Sequence, residues 1–250
     1  MPGRILTLIG ADGAGKSTLA AQLGARSDLP TTVFIYMGAN PAAITHALPT
    51  TRAWLALKRF LGRGTHRSGP PESATAVRPS GATERALRHL KSLVSLVYRV
   101  SEDGYRLLVA EVYRHRGHLV IMDRHPYPDY YARRVRGVQG EWLRWGDRIH
   151  GVLLRHVYPR PRGLILLDAP AEVLHARKPE GTIEAVRSRR FEYLDMIDDL
   201  PDVTVIDVDR PEGEVLADVV ALVRDEASSR GGHAFAAKAR NSRPLAKRRT

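Results

Sequence analysis

The chain has 250 residues and contains no cysteine, which excludes disulfide bridges and thiolate-ligated metal sites. Its 39 lysines and arginines outnumber its 27 aspartates and glutamates, which gives a formal net charge of +12. Seven of the basic residues and none of the acidic ones lie in residues 227–250, so residues 1–226 carry only +5. No apolar run is typical of a secretory signal or a membrane span. We therefore expect a cytoplasmic protein with no membrane partner.

The C-terminal segment, residues 227–250, differs in composition from the rest of the chain. It is rich in serine, glycine and alanine, and Phe235 is its one aromatic residue. Because such a segment buries too little apolar surface to offset the entropy of ordering it, we predict a basic, disordered tail. Its charge suits electrostatic contact with nucleic acid. A solvated terminal extension is the interpretation that we favour.

Apolar segments and helical patterns alternate along residues 1–226. Almost wholly apolar segments predict buried strands at residues 4–10, 31–37, 118–123, 163–168 and 203–208. Helical periodicity predicts helices at residues 16–26, 50–61, 84–115 (broken near Gly104), 141–156, 171–176, 183–197 and 212–227. We predict a mobile surface loop at residues 62–83, which are rich in glycine and proline. The alternation predicts one α/β domain, a three-layer sandwich around a five-stranded parallel sheet.

A phosphate-binding loop follows the first predicted strand. The pattern G-x-x-x-x-G-K-[ST] lies between an apolar strand and the start of a helix, where main-chain N–H groups can form an anion-binding nest. Glycines let the main chain approach the phosphates, and the positive end of the helix dipole adds to the attraction. The sequence therefore predicts that ATP is bound by Gly10, Ala11, Asp12, Gly13, Ala14, Gly15, Lys16, Ser17 and Thr18.

Four side chains are candidates for the chemistry of the site. Lys16 would carry a compact positive charge to the β- and γ-phosphate oxygens, and the Ser17 hydroxyl is suited to Mg²⁺. Asp123 and Arg124 are adjacent at the end of the third predicted strand. The carboxylate is placed to hold the water shell of Mg²⁺, and the arginine can clamp a phosphoryl group with two hydrogen bonds. We predict the cofactors ATP and Mg²⁺, with Ser17 and Asp123 at the metal.

These motifs together resemble the thymidylate kinase-like family of P-loop nucleoside monophosphate kinases. The resemblance rests on Gly-Ala-Asp-Gly-Ala-Gly-Lys-Ser-Thr at residues 10–18, on Asp123-Arg124, and on Leu-Leu-Asp-Ala-Pro-Ala-Glu at residues 166–172. It covers about residues 4–226. It implies a P-loop kinase fold, ATP-dependent phosphorylation of a small-molecule acceptor, with dTMP as the expected acceptor, and a homodimer.

The resemblance also assigns roles to individual residues. It implies that Asp12 reaches toward the sugar of the acceptor nucleotide and that Arg124 holds the acceptor phosphate. It further implies that the segment after residues 166–172 becomes an arginine-bearing lid over the triphosphate.

The composition of that segment supports a lid independently. Five basic residues lie in residues 177–190, around a turn that contains proline and glycine. Such a segment can close on the phosphates and neutralise charge during phosphoryl transfer. We predict catalytic roles for Arg177, Arg187 and Arg190, beside Lys16 and Arg124. Arg187 and Arg190 are three residues apart and share a helix face, so we expect Arg177 and either Arg187 or Arg190 to contact ATP. A solvated basic helix face is the alternative. Asp168, at the end of a strand and close before a proline, is assigned either a structural role or an indirect role at a distance from the reacting atoms.

The acceptor side departs from the family pattern. The family's aromatic residue and its Asp-Arg-x-x-His-like run would fall within residues 95–116, where this chain has Tyr98-Arg99 and Tyr105-Arg106. After Arg124 the chain continues His-Pro-Tyr-Pro-Asp-Tyr-Tyr instead of the family's tyrosine-led segment. We expect the base or ring of the acceptor to lie near Tyr98, Tyr105, Tyr127 or Tyr130.

The sequence thus leads to one functional hypothesis and leaves two alternatives open. The hypothesis is phosphoryl transfer from ATP to a nucleoside monophosphate, in which the acceptor oxygen attacks in line without a protein nucleophile. The first alternative is a P-loop kinase of another small acceptor, such as another nucleoside, a sugar or a glycan precursor. The second is a nucleotide-binding regulator that docks on nucleic acid through its basic tail.

Overall fold

Five parallel strands form the central sheet of the computed structural model: β1 (Arg4–Ile9), β2 (Thr32–Tyr36), β3 (Leu119–Asp123), β4 (Leu164–Asp168) and β5 (Val203–Asp207). They lie in the order β2-β3-β1-β4-β5, so the first strand of the chain is at the centre. The structure describes residues 3–37, 46–52, 60, 82–123, 149–150, 152–153, 156–159, 163–197, 200 and 203–228. All five predicted strands are confirmed to within one residue at each end.

Helices flank the sheet in the order that the sequence predicts. They are α1 (Lys16–Gly24), α2 (Ala82–His115), α3 (Ala171–Arg177), α4 (Ile183–Met196) and α5 (Glu212–Ser228). Each agrees with its predicted bounds to within two residues. Residues 49–52 are also helical, where the prediction begins a helix at residue 50.

The three predicted layers are confirmed by the alternation of side chains along the strands. In β3, Leu119 and Ile121 pack in one core with apolar residues of α1 and α5. Val120 and Met122 point to the other side and pack with Ala110 of α2. The strand is buried on both faces, which explains why its sequence is apolar without alternation.

The predicted break in α2 near Gly104 is wrong. The helix is continuous from Ala82 to His115. A glycine in a helix costs only about 1 kcal/mol relative to alanine, and tertiary contacts on both sides of Gly104 outweigh this. Asp103 and Arg106 are both buried. Asp103 Oδ2 lies 3.4 Å from His150 Nε2, and Arg106 Nη1 donates to the Tyr36 carbonyl at 3.4 Å.

Several predictions fall outside the described residues. They are most of the helix over residues 141–156, of which the structure describes only 149–150, 152–153 and 156, and also the helix over 53–59, the loop over 62–81 and the tail over 229–250. Within the described ranges, no helix has both the length and the hydropathy needed to span a bilayer.

A buried ion pair within α2 also attaches this helix to the segment at residues 46–52. Arg106 Nη2 donates to Glu102 Oε1 at 2.8 Å, and these side chains are 4% and 5% exposed. The other oxygen of Glu102 accepts hydrogen bonds from Thr51 Oγ1 at 2.9 Å and from Leu48 N–H at 3.4 Å. Arg106 also donates to the carbonyl of Tyr36, at the end of β2, at 3.4 Å. Glu102 therefore holds this segment beside the carboxyl end of the sheet.

We predict that Glu102→Ala lowers the free energy of unfolding by about 3–5 kcal/mol, because it removes the carboxylate that balances a buried guanidinium. Glu111→Ala on the same helix is the matched control, since its pair with Arg114 is far more exposed than that of Glu102 and should contribute only about 0.3–0.5 kcal/mol. Urea denaturation measures the free energy of unfolding of both variants. Equal losses in the two variants would contradict the structural role of Glu102.

Candidate active site

The loop between β1 and α1 is fitted closely to the helix that packs over it. Gly13 has φ +87°, and a Cβ built on it would lie 2.1 Å from the main-chain oxygen of Leu174 in α3. Gly15 has φ +80°, and a Cβ there would meet nothing within 4 Å. The first glycine thus permits both a left-handed backbone and a close approach of α3, whereas the second is needed only for the backbone conformation.

Lys16 lies across the base of this loop. Its side chain is buried, with 7% of the residue exposed. The ammonium donates hydrogen bonds to the carbonyls of Gly10 and Ala11 at 3.0 and 2.9 Å. These contacts hold the ammonium at the loop, so its positive charge is already in place when a polyphosphate binds to the loop.

A cleft of about 620 Å³ opens over the loop. It lies at the carboxyl end of the sheet, the edge at which open parallel sheets bind ligands. Seven of the nine predicted ATP-binding residues line it, and Gly10 and Ala11 supply the carbonyls beneath Lys16. The complete lining is Asp12, Gly13, Ala14, Gly15, Lys16, Ser17, Thr18, Leu19, Gln22, Tyr36, Asp123, Leu167, Arg177, Lys178, Val208, Arg210, Glu212 and Val215.

The two predicted metal ligands both line this cleft. Ser17 is exposed, and Asp123 is buried with 5% of the residue exposed. A hydroxyl and a carboxylate are ligand types that Mg²⁺ takes, with water and phosphate oxygens completing its shell. Within the described ranges, no group of three or more histidine, aspartate and glutamate side chains could hold a metal ion. The donor chemistry of Ser17 and Asp123 fits Mg²⁺ bound together with a polyphosphate.

Tyr36 is a lining residue that sequence reasoning missed. It stands opposite Asp123 in the register of β2 and β3, and Met37 N–H donates to the Asp123 carbonyl at 2.9 Å. Its position at the end of a predicted strand indicates a place beside the site, because parallel strands end at the same edge of a sheet. The same signal points to Arg210 and Glu212, which follow β5.

Arg177 and its neighbour Lys178 line the cleft on the far side of the loop from Asp123. Arg177 Nη2 donates to the carbonyl of Val208 at 2.9 Å. Next to this contact, Arg210 donates to Asp218 at 2.7 Å, and that hydrogen bond raises the pKa of the Arg210 guanidinium. Cationic side chains therefore border this part of the cleft.

The other two predicted lid arginines are engaged elsewhere. Arg187 donates to Glu172 at 2.8 Å in an exposed pair. A hydrogen bond from the main-chain N–H of Glu172 lowers the pKa of the Glu172 carboxyl, and the hydrogen bond from Arg187 lowers it further. Arg190 forms two hydrogen bonds with Asp168. Neither arginine is part of the cleft lining.

The predicted acceptor residues divide into three groups. Asp12 lines the cleft. Tyr98 does not: it is 50% exposed on the outer side of α2, beside Leu90 and Val94, and half-buried Tyr105 is also absent from the lining. Three further candidates lie outside the described residues, namely Arg124, Tyr127 and Tyr130.

Comparisons with known proteins identify the fold. No protein-family model matches the chain, and no curated protein matches it either. Among solved structures, a thymidylate kinase from Candida albicans with broad substrate specificity matches it with a TM-score of 0.52. The match covers 90% of this chain and 93% of the other at 15% sequence identity. The chain therefore has the α/β fold of a P-loop kinase, as the sequence predicted.

We predict that Gly13→Ala destabilises the protein more than Gly15→Ala does. Both substitutions place a side chain at positive φ, which costs about 1–2 kcal/mol, but only the first drives a Cβ into the carbonyl of Leu174. Chemical denaturation of both variants isolates the cost of the collision with α3. Equal unfolding free energies would show that α3 does not pack on the loop as described.

Proposed function

We propose that this protein transfers the γ-phosphoryl group of ATP to a nucleoside monophosphate, with dTMP as the first candidate acceptor. The observation that carries the proposal is the buried Lys16 ammonium, fixed on the phosphate loop at the base of a cleft that also contains Asp123 and Arg177. Phosphoryl transfer requires a positive charge, a carboxylate for the metal and a second cation, all placed around one nest of amides.

The cleft suggests how the donor is oriented. The loop amides and Lys16 would bind the β- and γ-phosphates. The nucleoside would then extend toward the side lined by Arg177, Val208 and Arg210, which lies beyond the loop and the start of α1. Val215 and the methylene groups of the arginines provide apolar surface for a base, and Glu212 and Gln22 provide polar groups at the rim.

The acceptor would approach from the side of β2 and β3. Tyr36 and Asp123, at the ends of these strands, line the cleft together with Asp12 of the phosphate loop, and Arg124 is next in sequence to Asp123. In the transfer step, an acceptor phosphate oxygen forms a bond to the γ-phosphorus while the bond to the β,γ-bridging oxygen breaks and ADP leaves. An ionised acceptor phosphate brings its own electron pair, so the step needs no general base and no protein nucleophile. Ser17 and Asp123 would hold Mg²⁺, which would neutralise part of the negative charge of the phosphates.

A second candidate function is phosphorylation of a different small acceptor by the same donor site. The position of Tyr98 favours it, because this tyrosine, one of the four expected near the acceptor base, is half-exposed on α2 and does not line the cleft. Under this candidate the roles of Lys16 and Asp123 are unchanged, and only the acceptor differs.

We predict that Lys16→Met lowers the rate of phosphoryl transfer on the order of 100-fold or more, because it removes the cation fixed beside the transferred group. Arg26→Met is a control in which a cation is removed beyond the other end of α1, from a pair with Asp28. Transfer from radiolabelled ATP is the measurement, with thermal unfolding to verify that both variants fold. Unchanged transfer in Lys16→Met would contradict the proposal.

The acceptor is tested with a panel of dTMP, other nucleoside monophosphates, nucleosides and monosaccharides, each incubated with the protein and radiolabelled ATP. We expect a nucleoside monophosphate to be labelled, dTMP foremost. Labelling confined to a nucleoside or a sugar would support the second candidate instead. If no acceptor is labelled and nucleic acid binds in a salt-dependent manner that is lost on removal of residues 229–250, the protein is a regulator and not a kinase.

A further inference from the structure

A sheltered ion pair between Asp168 and Arg190 lies beside the cleft but outside its lining. Arg190 Nε and Nη2 donate to the two carboxylate oxygens of Asp168 at 2.7 and 2.8 Å. The side chains are 12% exposed for Asp168 and 29% exposed for Arg190. A bidentate pair of this kind fixes orientation as well as distance. It joins α4 to the carboxyl end of β4.

Hydrogen bonds continue from this pair to the cleft. The carbonyl of Asp168 accepts from Val208 N–H at 2.8 Å. The carbonyl of Val208 in turn accepts from Arg177 Nη2 at 2.9 Å, and both Val208 and Arg177 line the cleft. A contiguous series of contacts therefore runs from Arg190 through Asp168 and Val208 to Arg177.

The helix that carries Arg177 is held at two places. The Leu174 carbonyl of α3 packs directly on Gly13 of the phosphate loop. On the other side, α3 is connected to α4 by residues 178–182 and by the exposed pair of Glu172 with Arg187. In turn, α4 is attached to β4 by apolar packing and by the pair of Arg190 with Asp168. Arg177 is the last residue of α3, so the position of its side chain depends on both attachments.

We propose that Asp168 and Arg190 are positioning residues for phosphoryl transfer, which hold the Val208 carbonyl and α4 so that the Arg177 guanidinium faces the bound triphosphate. This inference rests on the proposed function. Arg177 is the group that would touch the phosphates, and Arg190 acts through it without reaching them. The sequence predicts that Arg177 and either Arg187 or Arg190 contact ATP; this inference assigns the contact to Arg177 and an indirect role to Arg190.

The test is a double-mutant cycle between Arg190 and Arg177 in the full-length protein. The variants are Arg190→Ala, Arg177→Ala and the double variant, with Arg190→Lys and Asp168→Asn as milder changes that keep the fold if Arg190→Ala does not. Arg26→Ala is the matched control, because Arg26 also forms a bidentate pair with an aspartate, at 2.8 and 2.7 Å, away from the cleft. The readouts are kcat, the KM of ATP and the KM of the acceptor.

We expect Arg190→Ala to lower kcat/KM for ATP by about 10- to 100-fold, the effect of a small displacement of a group at the reacting centre. The KM of the acceptor and the activity of Arg26→Ala should change by no more than about twofold. Arg190→Lys and Asp168→Asn should fall between the wild type and Arg190→Ala. In the Arg177→Ala background, adding Arg190→Ala should have almost no further effect, because the residue through which it acts is gone.

Equal losses from Arg190→Ala in the wild-type and Arg177→Ala backgrounds would overturn the inference, since they would mean that the pair only stabilises the fold. A loss no larger than that of Arg26→Ala would overturn it as well. These outcomes leave the proposed function intact, because they require an active wild-type enzyme. A wild type that transfers no phosphoryl group to any acceptor overturns the proposed function and the inference together.

Discussion

The attachment of the Lys16 ammonium to the phosphate loop is the interaction on which the rest of the site depends. Two carbonyls at the end of β1 accept its hydrogen bonds, and burial protects the charge from bulk water. A cation fixed in a nest of amides attracts polyphosphate without reorganising when the ligand arrives. Gly13 extends this constraint to α3, because the helix can approach the loop only where no side chain intervenes. The loop therefore sets the position of the helix that ends at Arg177.

The parallel sheet brings the other components to the same edge. β2 and β3 end side by side, which places Tyr36 opposite Asp123. β4 and β5 end together as well, and their junction connects Asp168 to Val208 through the main chain. Residues far apart in sequence thus meet around one cleft because their strands share a direction. The hydrogen-bonded pair of Glu102 and Arg106 also connects α2 to the segment at residues 46–52 and to the end of β2.

The fold could be predicted from the sequence because its signals are local. Uninterrupted apolar runs such as residues 119–122 are typical of strands covered on both faces, and the glycine loop fixes where β1 ends and α1 begins. Side-chain partners could not be predicted, since they depend on how elements pack. Helical spacing puts Arg187 and Arg190, three residues apart, on one face, but it could not show that Glu172 and Asp168 are their partners. Propensity suggested a break at Gly104, and tertiary contacts override it.

The most direct test of the account is calorimetric titration of the wild-type protein with ATP in the presence of Mg²⁺. The account predicts saturable binding of one ATP per chain, and it predicts that binding weakens when inorganic tripolyphosphate competes for the loop, because the loop recognises phosphate through amides and Lys16. An absence of ATP binding, or binding that tripolyphosphate leaves unchanged, would contradict the claim that the loop is a polyphosphate site.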